Sequence, residues 1–343
     1  MALAAPVLSL RLGFPDEGTQ SVERTERRAY DLVAEGFGPG INGPLVVAVD
    51  LRGDDAVVGP LTSAIAADPG IAGVAPPELS DRADVATIIA FPTSAPQDDA
   101  TYATIERLRT DVFPTALSGS PATAHVGGQT ATFGDLADRV TDRLPWFIGA
   151  VVFLSFLLLM IVFRSVLVPL KAAILNLLSI GAAYGVMVMV FQWGWGLSLI
   201  GLDATVPIVS FVPMFMFAVL FGLSMDYEVF LLSRIREEYD ASGDNDGAVV
   251  AGLAGTARVI TSAALIMISV FMAFVLGTDP TVKMMGLGLA TAIFVDATIV
   301  RMILVPATMK LMGDANWWLP SGLARRMPTV SIDRPQEPVL TEA

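Results

Sequence analysis

Cysteine is absent from this 343-residue chain, and histidine occurs once, at His125. The first absence excludes disulfides, thiolate catalysis and cysteine-held metal. His125 stands among small residues of the polar half and reads as a solvent or loop side chain, so no metal site is expected. Charge is scarce as well, at 16% of residues, and basic charge scarcest: 21 Lys and Arg against 34 Asp and Glu, a net charge of −13. Such a balance argues against nucleic acid as a partner and against polybasic attachment to anionic lipid. No Walker A loop, nucleophile elbow or zinc motif is found, so ATP-driven transport and hydrolytic activity are unsupported, the chain is not read as an enzyme, and no cofactor is expected. A secretory signal is missing too, because apolar Ala2–Leu10 is interrupted by Pro6 and far too short to span a bilayer.

What is present is apolar surface. Hydrophobic residues make up 54% of the chain and concentrate after residue 144, which points to an integral membrane protein. Residues 14–143 read instead as a water-soluble α/β unit. Gln20–Gly36, Val57–Ala67 and Tyr102–Phe113 carry helical patterns, while Leu45–Val49, Ile71–Val74, Val85–Phe91 and Ala122–Val126 read as strands. The order β-α-β-β-α-β is the ferredoxin-like split arrangement.

From Leu144 onward five membrane helices are expected, at about 145–163, 172–192, 206–232, 257–277 and 283–311. Arg164 and Lys171, then Arg234, Arg236 and Arg258, then Lys310, Arg325 and Arg326 flank alternate connections; Gln192–Thr205 and Gly277–Thr281 carry no basic residue. Basic connections face the cytoplasm, which puts the α/β unit outside. The tryptophans agree: Trp146, Trp193 and Trp195 mark the outer interface, Trp317 and Trp318 the inner one. Residues 313–343 are then a cytoplasmic tail, disordered after Ser331. An outward N-terminal unit needs a preceding helix to carry it across, and residues 1–13 are only the remnant of one. The chain is therefore expected to be half of a longer protein, or the product of a truncated gene; a mis-set start codon is the innocent alternative.

The segment running from Gly222 through Asp226, Tyr227 and Glu228 to Arg234 and Arg236 places ionisable groups inside an apolar helix. At bilayer depth such groups cost a few kcal/mol or more and mark function by default. Asp226 precedes Arg234 by eight residues, roughly 12 Å of helix. Gly222, Asp226 and Phe230 share one face, where the glycine admits a close neighbour that holds the carboxylate away from lipid. Desolvation lets a carboxylate load and unload protons near neutrality, with Tyr227 donating to it or relaying through water. The alternative for Asp226 is a buried packing hydrogen bond, a job that serine does at lower cost. Glu228 points away from Asp226, toward another neighbour or the inner water layer. In the last span Asp296 and Arg301, at i and i+5, are expected to diverge; a structural and a relay role for Asp296 stand open side by side. Asn176, Thr261, Ser262 and Ser269 read as interhelical glue, and Gly181 with Gly185 as a close-packing G-x-x-x-G.

Several segments together resemble one family. Phe163-Arg-Ser-Val-Leu-Val-Pro169-Leu-Lys-Ala-Ala, Gly222-Leu-Ser-Met-Asp226-Tyr227-Glu-Val-Phe-Leu, Asp296-Ala-Thr-Ile-Val-Arg301 and Asn316-Trp-Trp-Leu-Pro320 look like the C-terminal half of an MmpL-type transporter of the RND superfamily. Phe37-Gly-Pro-Gly-Ile-Asn-Gly-Pro44 resembles the start of that family's second extracytoplasmic porter domain. The resemblance implies a sterol-sensing-like five-helix unit in a bacterial plasma membrane. It implies proton-driven export of lipids or other hydrophobic compounds, with Asp-Tyr pairs from two halves meeting; Asp226 and Tyr227 match the second pair. A complementary half or a second copy is then the expected partner, alongside the bilayer and a hydrophobic substrate. A non-transporting scaffold or lipid sensor, and an inactive truncated gene product, are the competing readings.

Overall fold

The computed structural model describes residues 2–320 together with Gly322 and Arg325. Arg326 and the tail beyond it, where the sequence reading places disorder, lie outside the described residues. Pro6 denies the N-terminal stub a regular α-helix, and Ala2–Ser9 winds as a 3-10 turn instead. It packs on the helix of Gly181 and Gly185, where a Cβ on Gly185 would overlap the Leu3 carbonyl oxygen. The G-x-x-x-G thus seats the chain's own N-terminal segment.

Strand β1 (Leu12–Gly13) leads into the N-terminal unit. Helix α1 (Thr25–Phe37) starts five residues later than the sequence pattern suggests, because Arg24 is extended, and it buries no residue completely. Strands β2 (Leu45–Asp50), β3 (Ile71–Val74), β4 (Glu78–Leu79), β5 (Val85–Pro92) and β6 (Thr123–Gly127) form one antiparallel sheet in the order β3-β5-β2-β6, with β4 pairing on β5. Period-two alternation on β2 turns Leu45, Val47 and Val49 wholly inward, where they meet Leu61 and Ile65 of α2 (Val58–Ala66) and Ile105 of α3 (Asp99–Arg107). The expected single helix over 102–113 is broken. A π turn at Leu108–Val112 joins α3 to α4 (Phe113–Ala116), next to Pro114, which lacks the N–H that a continuous ladder needs.

Helix α5 (Gln129–Phe163) begins inside this unit and runs unbroken through Pro145 into the apolar run. Then follow α6 (Leu167–Met187), prolonged by a π turn to Gln192; α7 (Phe211–Ser242); α8 (Asn245–Val275); and α9 (Pro280–Val295). A π-helical stretch, Asp296–Leu304, joins α9 to α10 (Val305–Met312). These make five helices long and apolar enough to cross a membrane, among the described residues. The expected spans leave the acidic residues 233–256 as a connection outside the helices. The structure corrects this: α7 and α8 continue as polar helices and meet at a tight turn with Gly243 at φ +67°, while the Asp244 carboxylate caps α8 by accepting from Asp246 N–H. The third span also starts later than expected, since β7 (Ile208–Val209) pairs in parallel with β1 and ties the two regions together.

At the last helix end, Asn316 donates to the carbonyls of Met309 (2.6 Å) and Gly313 (2.7 Å), and Trp317 stacks on Tyr239 beneath the Arg236 guanidinium. In the sheet unit, Asp68 accepts from Arg107 Nη2 at 2.6 Å and Nε at 3.0 Å, and from Gly70 N–H at 2.8 Å. The guanidinium, outweighing burial and helped by the Gly70 amide, holds this carboxyl below its ordinary value of 3.8. A depressed folded pKa means stability that is present above the unfolded value and lost as pH falls through the folded one. Asp68→Asn is therefore expected to loosen β3 and β5 by about 1–3 kcal/mol at neutral pH, with the difference shrinking below pH ~4. Hydrogen exchange of the two strands, measured at both pH values, checks it.

Candidate functional site

Helix α7 has two polar faces, and they differ in everything but their helix. Gly222, Asp226 and Phe230 lie on an open face: all three are exposed, and a Cβ on Gly222 meets nothing within 4 Å. Among the described residues Asp226 has no hydrogen bond or ion pair. The close neighbour that Gly222 suggests is not among the described residues. Tyr227 is half-buried, and its hydroxyl is directed to Met267 Sδ at 3.5 Å rather than to the adjacent carboxylate.

Two residues on from Asp226, about 200° around the helix, the closed face begins. Ser224 and Glu228 are buried here against α6 and the fifth span. Glu228 points away from Asp226, as expected, and finds Lys171, Arg301 and Asp296 within electrostatic range. Asp296 and Arg301, expected to diverge, are paired instead: Arg301 Nε donates to Asp296 Oδ2 at 2.9 Å, with side chains 2% and 12% exposed. The correction has a local cause. Residues five apart diverge on an α-helix, but Asp296–Leu304 is π-helical, and its wider turn brings i and i+5 into line.

Arg301 reaches further. It donates to the Ser224 carbonyl and, at 2.9 Å, to Ser224 Oγ, and its guanidinium lies 5.6 Å from the Tyr227 ring centroid. Ser224 Oγ in turn donates to Asn176 Oδ1 of α6 at 2.7 Å. One arginine thus joins three helices. Beside it a cavity bounded by Asn176, Tyr227, Asp296 and Arg301 keeps about 20 Å³ open to a water molecule. Four atoms of this cluster are buried without a hydrogen-bond partner among the described residues: Lys171 Nζ, Glu228 Oε1, Asp296 Oδ1 and Arg301 Nη1.

Sequence reasoning missed Lys171 and Ser224 as members of this cluster. Lys171 stands only one turn inside α6 and looks like a flanking charge, although it is 7% exposed. The signal that could have found it is its place after Pro169 inside an otherwise uncharged helix, opposite Glu228 in depth.

The MMPL family pattern matches residues 46–331. The chain is 38% identical to the "Mycolic acid-containing lipids exporter MmpL11" of Mycolicibacterium smegmatis, over 98% of this chain and 36% of that protein. It is 41% identical to the "Heme uptake protein MmpL11" of Mycobacterium tuberculosis, over 98% and 35%, and 38% identical to the "Membrane protein YdfJ" of Bacillus subtilis, over 97% and 46%. The chain thus spans between about a third and a half of the length of these curated relatives.

Removing one partner of a buried ion pair strands the other, at about 3–5 kcal/mol. Arg301→Met is therefore expected to destabilise the bundle by about that amount, and Asp296→Leu/Arg301→Met to recover part of the loss. Thermal unfolding in detergent, run as a double-mutant cycle, measures the coupling.

Proposed function

This chain belongs to the MMPL family, and from that premise we propose that it is one half of a proton-motive-force-driven exporter of lipids or other hydrophobic compounds. The observation that carries the reading is Asp226: a carboxylate in the middle of an apolar helix, on a face that the described residues leave open. A charge there is costly against lipid, so it calls for a partner surface. Gly222, one turn away and clear of neighbours, gives a second helix group room to approach. The relatives' greater length supports a complementary half as that partner, and a second copy is the other source.

Protonation of Asp226 neutralises the charge at this seam, and deprotonation restores it; Tyr227, next in sequence, completes the Asp-Tyr pair. Between the two charge states the helix groups change their packing, which is alternating-access logic applied to a bistable bundle. The basic connections support an N-terminal unit outside the bacterial plasma membrane and a C-terminus in the cytoplasm. In this reading residues 1–13 are the end of a preceding helix, 14–143 the porter domain, 144–312 the membrane domain and 313–343 the tail. The strand order β3-β5-β2-β6 supports a ferredoxin-like porter domain. The name of one relative, a mycolic acid-containing lipids exporter, supports a lipid cargo.

Export in a host lacking its own transporter, with the chain expressed alone and with a complementary first half, tests the reading. Asp226→Asn is expected to abolish export while membrane insertion and amount stay unchanged. Undiminished export by Asp226→Asn rules out coupling through this carboxylate and favours a scaffold or lipid sensor.

A further inference from the structure

Two buried ionisable groups have no part in the Asp226 scheme. Glu228, on the face of α7 opposite Asp226, is 2% exposed, and Lys171 of α6 is 7% exposed. Each buried ion costs several kcal/mol even after relaxation, and helix packing alone needs neither. Their free atoms, Glu228 Oε1 and Lys171 Nζ, join Asp296 Oδ1 and Arg301 Nη1 as polar atoms without a partner among the described residues. Buried groups of this kind are ordinarily satisfied by ordered water. The cavity beside Asp296 and Arg301 offers about 20 Å³, above the roughly 10–15 Å³ that a water needs. Depth orders the groups: Asp296 and Arg301 lie in the middle of the fifth span, Glu228 six residues before Arg234, and Lys171 one turn from the start of α6.

We propose that Glu228, countered by Lys171, is a second proton-carrying carboxylate of the bundle, linked by water to the Asp296–Arg301 pair. The proposal rests on the proton-driven reading and adds to it a station on the closed face. In each passage an O–H bond forms on the Glu228 carboxylate as one breaks in a neighbouring hydronium, which is left as neutral water, and the reverse step returns the proton to water. The groups facing Glu228 are Lys171 and Asn176 from α6, Ser224 from its own helix, and Asp296 and Arg301 from the fifth span. Helices α5 and α8 bring apolar side chains to this region, Leu159, Phe163 and Ile260 among them. The two cations balance the two carboxylates, so a single added proton changes the net charge of the cluster.

Isotope-edited infrared spectroscopy of the full chain in lipid bilayers, followed through a pH titration, tests this. Glu228 is the only buried glutamate among the described residues, so carbon-labelled glutamate separates it from Asp226 and Asp296 without any substitution. The expected result is a band of a water-shielded, protonated carboxyl that titrates and moves with glutamate labelling. That band is lost in Glu228→Gln, kept in Asp226→Asn, and titrates at a different pH in Lys171→Met. Shielded bands that move only with labelled aspartate, or none that titrate, overturn the proposal. Loss of export in Asp226→Asn without a glutamate band sinks this inference alone. Retained export in Asp226→Asn sinks the wider reading, whatever the glutamate band does.

Discussion

Arg301 holds the membrane half of this molecule together. Among the described residues Arg301 is the largest fully buried side chain, and its guanidinium answers Asp296 on its own helix and Ser224 on α7, while Ser224 passes the link to Asn176 on α6. A planar fork with five donors can do this; an ammonium on a flexible stem cannot satisfy so many acceptors in fixed directions. The arrangement also depends on backbone. Without the wider π turn, Asp296 and Arg301 face different neighbours, and two isolated charges stand where one neutral pair now lies. Side-chain electrostatics and main-chain geometry therefore stabilise each other here.

Around that pair, α7 divides labour by face. Its closed side carries Ser224 and Glu228 into a network whose charges cancel, and these residues are fixed by their own chain. Its open side carries Asp226 with no hydrogen bond or ion pair among the described residues. The same helix thus presents a finished surface inward and an unfinished one outward. A rigid interior behind an incomplete exterior suits a helix that must repack against something else without losing its own fold.

Much of this was legible in the residues. Five uninterrupted apolar runs announced five spans, and the alternation of Leu45, Val47 and Val49 announced a strand half-buried against helices. What hydropathy does not register is where a helix leaves the bilayer and continues in water, which hid the polar ends of α7 and α8 and the early start of α5. At the site, helical geometry correctly set Glu228 apart from Asp226. The same geometry failed at Asp296 and Arg301, because it assumes 3.6 residues per turn and no residue type announces a π stretch. Lys171 escaped because one turn inside a membrane helix is where snorkelling cations usually sit, and only tertiary packing shows that this one is covered.

Helix α5 has a mechanical consequence. With 35 residues it is a rod about 52 Å long, rooted in the sheet unit and ending among the buried side chains of Leu159 and Phe163. Tilting such a rod by about 5° about one end swings the other through roughly 4.5 Å. The sheet unit and the membrane bundle thus share one lever, beside the β1–β7 pairing that also joins them.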